Sequence, residues 1–136
     1  MAGKFLPKAG LPVETMPWGK VTWLSGPKQT DARALTIMEV LLNPLTGHGF
    51  HFHPNQEELI YVIEGQIEQW LDQEKQILKA GDAVSIPKGM VHASYNIFKK
   101  PAQVLPVLGP CAGEGYEVVE VFTQAPWNKL KEPPGK

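Results

Sequence analysis

The chain has 136 residues, 43% of them hydrophobic and 20% charged, with a formal net charge of -1; this is the length of one domain and the balance of an ordinary globular chain, not of a disordered or membrane-spanning one. A single arginine, Arg33, and near-equal numbers of acids and bases leave no concentrated basic field for a phosphate backbone, so nucleic acid is not expected and a small molecule is. Cys111 is the only cysteine, which excludes an intrachain disulfide, and with no apolar run of signal-peptide or membrane-helix length the expected location is cytoplasmic, without membrane attachment.

In residues 1–30, prolines at 7, 12 and 17 break any helix, and the segment reads as an extended arm that packs on the domain or on a partner. Residues 31–127 form the body. Its first segment, 32–42, is ambiguous: Ala34, Ile37, Met38, Leu41 and Leu42 fit a helical face, whereas Leu35, Ile37 and Leu41 suit a strand. From Pro44 onward, short apolar or alternating runs at 50–53, 59–63, 67–71, 83–86, 91–95 and 116–122 are separated by glycine and proline, the grammar of a strand-rich sandwich or barrel. Turn chemistry marks breaks at 64–65, 72–75, 80–82 and 87–89. Residues 128–136, lysine-rich and ending in Pro133, Pro134 and Gly135, read as a flexible C-terminal tail.

The chemistry concentrates in the histidines. His51 and His53 are two apart in a strand-like run, so their imidazoles leave the same face and can converge on one ion. Glu58 opens the next strand, where its carboxylate offers a harder oxygen ligand. About forty residues on, Gly81 precedes an apolar strand, and Pro87-Lys88-Gly89 returns the chain into a second strand carrying His92. That hairpin can bring His92 beside the first pair. His48 reads as a loop histidine in a Gly47-His48-Gly49 turn, with a place at the pocket rim as the alternative.

These residues resemble the two motifs of the cupin superfamily. The first is similar to His-x-His, three or four residues, Glu, six residues, Gly, met here by His51, His53, Glu58 and Gly65. The second resembles Gly, five residues, Pro-x-Gly, two residues, His, three residues, Asn, met by Gly81, Pro87, Gly89, His92 and Asn96. Of the adjacent acids Glu57 and Glu58, only Glu58 leaves six residues before Gly65. The one departure is Leu45, which stands where the family carries a glycine six residues before the first histidine. The short spacer between the motifs is similar to that of small single-domain bacterial cupins.

The resemblance implies an all-β fold, a double-stranded β-helix or jelly-roll barrel in a single domain, and turns 32–42 towards strand. It implies one divalent transition-metal ion, held by His51, His53, Glu58 and His92 with open positions left over; nitrogen and oxygen donors without thiolate admit Fe, Mn, Ni, Cu or Zn. Ile60 and Val62, of the same parity as Glu58, and Met90, of the same parity as His92, are expected to line the pocket. Glu120 is a candidate general acid or base if it turns inward with Tyr116 and Phe122, and a solvated residue if it turns outward. Asn96 is expected to secure a backbone turn, and Trp70 and Trp127 to pack. The functional expectation is a metal-dependent enzyme acting on a small organic molecule, of dioxygenase, isomerase or sugar-acid lyase type; the alternative is a non-catalytic cupin that binds a small molecule or sugar. The arm and the habits of similar small cupins lead us to expect a homodimer.

Overall fold

A computed structural model describes residues 3–132. Strands β1 (Val13–Met16), β2 (Gly19–Ser25), β3 (Thr36–Leu42), β4 (Thr46–Phe52), β5 (Glu57–Glu64), β6 (Gln66–Leu71), β7 (Glu74–Lys79), β8 (Ala83–Ile86), β9 (His92–Asn96), β10 (Ala102–Gly109) and β11 (Val119–Glu120) are joined by tight turns, with two short helices, α1 (Pro27–Thr30) and α2 (Trp127–Leu130). They form two antiparallel sheets, one ordered β1-β2-β3-β10-β5-β8 and the other β11-β4-β9-β6-β7. This is the expected all-β jelly roll. No helix among the described residues is long and apolar enough to cross a membrane.

Alternation positions the core. In β5 the buried residues are Glu58, Ile60 and Val62, and in β10 they are Ala102, Val104, Pro106 and Leu108, so both strands turn one face to the other sheet. Val21, Met38, Val40, Leu42, Ile67 and Ile86 complete this inner cluster. The ladder between β3 and β10 skips Leu105 and Pro106, because Pro106 has no N–H to give. Gly65 turns β5 into β6 at φ 79°, and a Cβ there would lie 2.7 Å from the Pro101 carbonyl oxygen. Only glycine fits.

Three sequence readings change. Segment 32–42 contains strand β3, but its buried residues are Thr36, Met38, Val40 and Leu42, the parity opposite to Leu35, Ile37 and Leu41. Within residues 1–30, read as an arm, β1 and β2 extend the six-stranded sheet, with β2 paired along β3 from Gly19↔Leu42 to Ser25↔Ile37. The run 116–122 contributes only the two-residue strand β11, while β7 and β10 fall where no strand was read. Of the tail at 128–136, residues 133–136 lie outside the described residues.

A second cluster covers the outer face of the five-stranded sheet: Phe50, Trp70, Ala93, Tyr95 and Val121, with Trp127 and Leu130 laid over them. Both tryptophans thus pack, as expected. Glu68 is buried beside this cluster and accepts hydrogen bonds from Trp70 Nε1 at 2.8 Å and Lys131 Nζ at 2.7 Å, fastening the C-terminal segment to the sheet. Asn96 donates to the carbonyls of Leu42 and Lys100 and accepts from the Phe98 N–H, securing its turn.

Candidate metal centre

Of the three histidines that converge inside, His51 lies in β4, His53 is the residue that follows it, and His92 opens β9. The β4–β9 register runs His48↔Ser94 and then His51↔His92, so Gly49 and Phe50 together oppose the single residue Ala93. This bulge reverses the alternation. Phe50 is thereby sent to the outer cluster while His48, three residues before His51, lines the same cavity as His51. The turn reading of His48 is corrected: it lies within β4, and Gly49, a glycine inside a strand, was the available sign of a bulge.

His51, His53 and His92 are buried, and their ligand atoms lie within 4.8 Å of one another. Each ring is oriented through Nδ1: His51 to the Gly49 carbonyl at 2.6 Å, His53 to the Glu117 carbonyl at 2.6 Å and His92 to the Met90 carbonyl at 2.9 Å. A carbonyl can only accept, so each neutral ring carries its proton on Nδ1 and presents an Nε2 lone pair to the interior. The Glu117 backbone is itself held by Gln56, whose Oε1 accepts from Glu117 N–H and whose Nε2 donates to Pro110 and Gly115 carbonyls. Nothing in the sequence pattern had singled out this buried glutamine.

Glu58 faces the trio, with Oε1 at 2.8 Å from His92 Nε2 and 3.2 Å from His53 Nε2. Glu58 Oε1 and His92 Nε2 are buried and make no well-directed hydrogen bond among the described residues, so rings that are neutral, with their proton on Nδ1, turn lone pairs towards the carboxylate. Such a pair is tolerable only if positive charge is added. Burial alone would raise the Glu58 carboxyl, yet the imidazoles of His53 and His92 hold it down to about 2. Burial alone would lower His53, but the hydrogen bond to Glu58 and its negative charge raise it. His51, buried and beside His48 and His92, is driven well below its usual value, and burial lowers His48 to about 4. The separations of 2.8 and 3.2 Å match the ~3 Å between neighbouring donors around an ion with bonds of about 2.0–2.2 Å. The residues fit a divalent cation, and the histidine trio could hold one.

The cavity beside this cluster measures about 60 Å³, room for on the order of four waters. One wall is aliphatic, from β2, β3, β5 and β10, and the other carries the histidines, with Trp18, Ser94 and Tyr116 at the margins. Ile60 lines the cavity as expected. Val62 and Met90 are outside the lining: Val62, one residue pair further along β5, is fully buried in the inner cluster, and the Met90 side chain packs against that cluster. Met90 acts instead through its carbonyl on His92. Glu120 pairs with His51 across β11 and β4 but is exposed at the edge of the sheet and outside the cavity lining. A larger hollow of about 440 Å³, bordered by Trp23, Lys28, Glu114 and Tyr116, adjoins the cavity through Tyr116.

Two antiparallel sheets wound as a jelly roll around a buried histidine trio define a double-stranded β-helix protein with a candidate metal site. The profile of the cupin domain matches residues 38–108, over half of the chain, and the chain belongs to the cupin family. It is 37% identical over 76 residues to "Polyketide synthase CurC" of Streptomyces cyaneus, a match covering 56% of this chain and 49% of that one; the chain spans about half the length of the curated relatives it matches. In fold it is similar to the polyketide cyclase RemF from Streptomyces resistomycificus, with a TM-score of 0.76 and 22% identity over 97% of this chain and 95% of that one. It is also similar to Bacillus subtilis oxalate decarboxylase, described with Mn(II) centres, with a TM-score of 0.66 and 23% identity over 78% of this chain and 29% of that one. At these identities the structural likeness is one of fold.

Proposed function

We propose that this cupin is a metal-dependent enzyme that holds one divalent ion, among Fe, Mn, Ni, Cu and Zn, through His51, His53, Glu58 and His92, and acts on a small enolisable keto compound. The observation that carries the reading is the buried convergence of three histidines whose ligand atoms lie within 4.8 Å of one another, with Glu58 Oε1 at 2.8 Å from His92 Nε2 and no well-directed hydrogen bond between those two atoms. A bound ion would act as a Lewis acid on a substrate carbonyl, which acidifies the adjacent C–H. The aliphatic wall suits the carbon skeleton of such a compound; a sugar acid would bury its hydroxyls there without partners, which disfavours the lyase reading. The hollow at Trp23 and Tyr116 offers room for the rest of a planar substrate. The sequence likeness to CurC and the fold likeness to RemF support a poly-keto substrate and ring closure over dioxygen chemistry.

The test uses purified full-length protein, its metal content measured, with a 1,3-diketone as model substrate and deuterium exchange at the carbon between the carbonyls followed by NMR. Exchange should require one equivalent of metal and vanish with a chelator and in His51→Ala/His53→Ala. Metal in undiminished amount in that double variant would overturn the site; bound metal and diketone without exchange would leave the non-catalytic, binding reading.

We further propose a homodimer in the cytoplasm. Support for the dimer comes from β5, whose outward residues Leu59, Tyr61 and Ile63 are exposed by 43%, 42% and 38% on a sheet face they share with Leu105 and Val107. A monomeric mass by light scattering would overturn it. The lone cysteine supports the reducing compartment.

A further inference from the structure

The N-terminal hairpin reaches the candidate metal centre through a stack of three rings. Trp18 stands in the turn between β1 and β2; its ring lies 5.5 Å from that of His48 at 16°, and His48 lies 3.8 Å from His51 at 14°. The outer end of the stack is built in. The Trp18 carbonyl accepts from Asn43 N–H at 2.9 Å and from Thr46 Oγ1 at 2.9 Å, tying the turn to the start of β4. The next residue, Gly19, has φ 153°, and a Cβ there would fall 1.7 Å from the Leu41 carbonyl oxygen, so no other residue lets the turn approach β3 this closely.

The inner end meets an incompletely supported ligand. The hydrogen bond from Nδ1 to the Gly49 carbonyl fixes one edge of the His51 ring, but an in-plane bond does not by itself stop the ring tilting about it. His92 contacts the ring at 60° and 4.3 Å, and His53 at 78° and 5.1 Å; neither lies flat against it. His48 does. The ring nitrogens of His48 are outside the group of mutually adjacent donor atoms formed by His51, His53 and His92 among the described residues.

We infer that His48 is a positioning residue for His51: clamped by Trp18, it presents a flat face that holds the His51 imidazole in the plane needed for metal binding. This rests on the metal site proposed above. It also gives residues 1–30 a role in the chemistry that an arm lying on the surface would lack. The contribution is one of ring contact, so a phenyl group serves in place of the imidazole.

The experiment compares the unaltered protein with His48→Ala, His48→Phe and Trp18→Ala, each shown by circular dichroism to be folded without metal. Zn(II) affinity is read by competition with a chromophoric chelator, and the ligand set by the visible absorption of the Co(II) form. His48→Ala should bind one equivalent but lose about 10–100-fold in affinity, the usual cost of removing a group that orients a ligand. Trp18→Ala should lose affinity in the same direction by less, and His48→Phe should recover to within about threefold of the unaltered protein with its Co(II) spectrum preserved. His48→Phe as weak as His48→Ala, with an altered Co(II) spectrum, would make His48 a nitrogen donor and overturn the inference, as would undiminished affinity in His48→Ala. Failure of the unaltered protein to take up metal would instead overturn the site itself.

Discussion

Metal binding should stabilise the fold by an amount that the chain length makes calculable. The four groups converge from β4, the segment that follows it, β5 and β9, which meet only in the folded chain, so an ion binds the native state and not the separated strands. At free metal one hundred times the dissociation constant, binding to the native state alone adds about 2.7 kcal/mol. Unfolding entropy of about 2.1 cal/mol/K per residue amounts to about 0.29 kcal/mol/K for 136 residues, so the midpoint should rise by about 9 °C. The assay is thermal unfolding followed by circular dichroism across a metal titration, with the dissociation constant measured independently. Chelator should reverse the rise, and His51→Ala/His53→Ala should abolish it. A midpoint indifferent to metal at that ratio, or an equal rise in the double variant, would refute the assignment of the ion to this cluster.

Binding should also release protons. His53 has its pKa raised above 6.5 in the metal-free protein, since Glu58 outweighs the effect of burial; its protonated form cannot ligate, so affinity should fall as pH drops through that raised value, and calorimetry in buffers of different ionisation enthalpy should register proton release near pH 6.5. Phe50→Ala should cost about 3–5 kcal/mol in urea unfolding, because the ring is wholly buried and meets Trp70 and Tyr95 edge-on; a loss near that of a surface substitution would count against the outer cluster as a second core. For Glu68, Lys131 and Trp70 hold the carboxyl below 4.5 against the opposing effect of burial. Its contribution is therefore present above pH 4.5 and lost as pH falls through the lowered value, and Glu68→Gln should flatten acid destabilisation there while speeding hydrogen exchange over residues 127–131.

The gathering of His51, His53, Glu58 and His92 was legible because two histidines of one parity, an acid on the next strand and a hairpin with Pro87 and Gly89 at its corner together resemble the two cupin motifs. His48 escaped because a bulge changes parity without changing composition; counted by strict alternation, it belongs on the opposite face to His51. Val62 obeyed the alternation but lies a residue pair deeper than Ile60, and depth along a strand is set by the tilt of the sheets. Strand β7 was hidden by its charge, since Leu78 is the only buried residue in Glu74–Lys79. Strand β10 holds Pro106 and is flanked by Pro101 and Pro110, a pattern that hides a strand, yet pairing on both edges, to β3 and β5, supplies what local propensity withholds.

Strand β3 fails for a different reason, and the reason bears on assembly. Its inward set, Thr36, Met38, Val40 and Leu42, alternates with Ile37 and Leu41, so apolar residues occupy both faces and no period emerges. The register extends this pattern across the sheet: Ile37 pairs with Val107 and Val107 with Leu59, while Leu105 pairs with Tyr61. Residues that pair directly share a face, so these five side chains form one outward apolar patch with Ile63 at its edge. Leu59, Tyr61 and Ile63 gain nothing from the inner cluster, and solvating them has a cost that a polar residue would avoid. The positions that defeat the alternation are therefore those that a second copy would cover, and Tyr61→Lys should leave the monomer folded while shifting the assembly to half its mass.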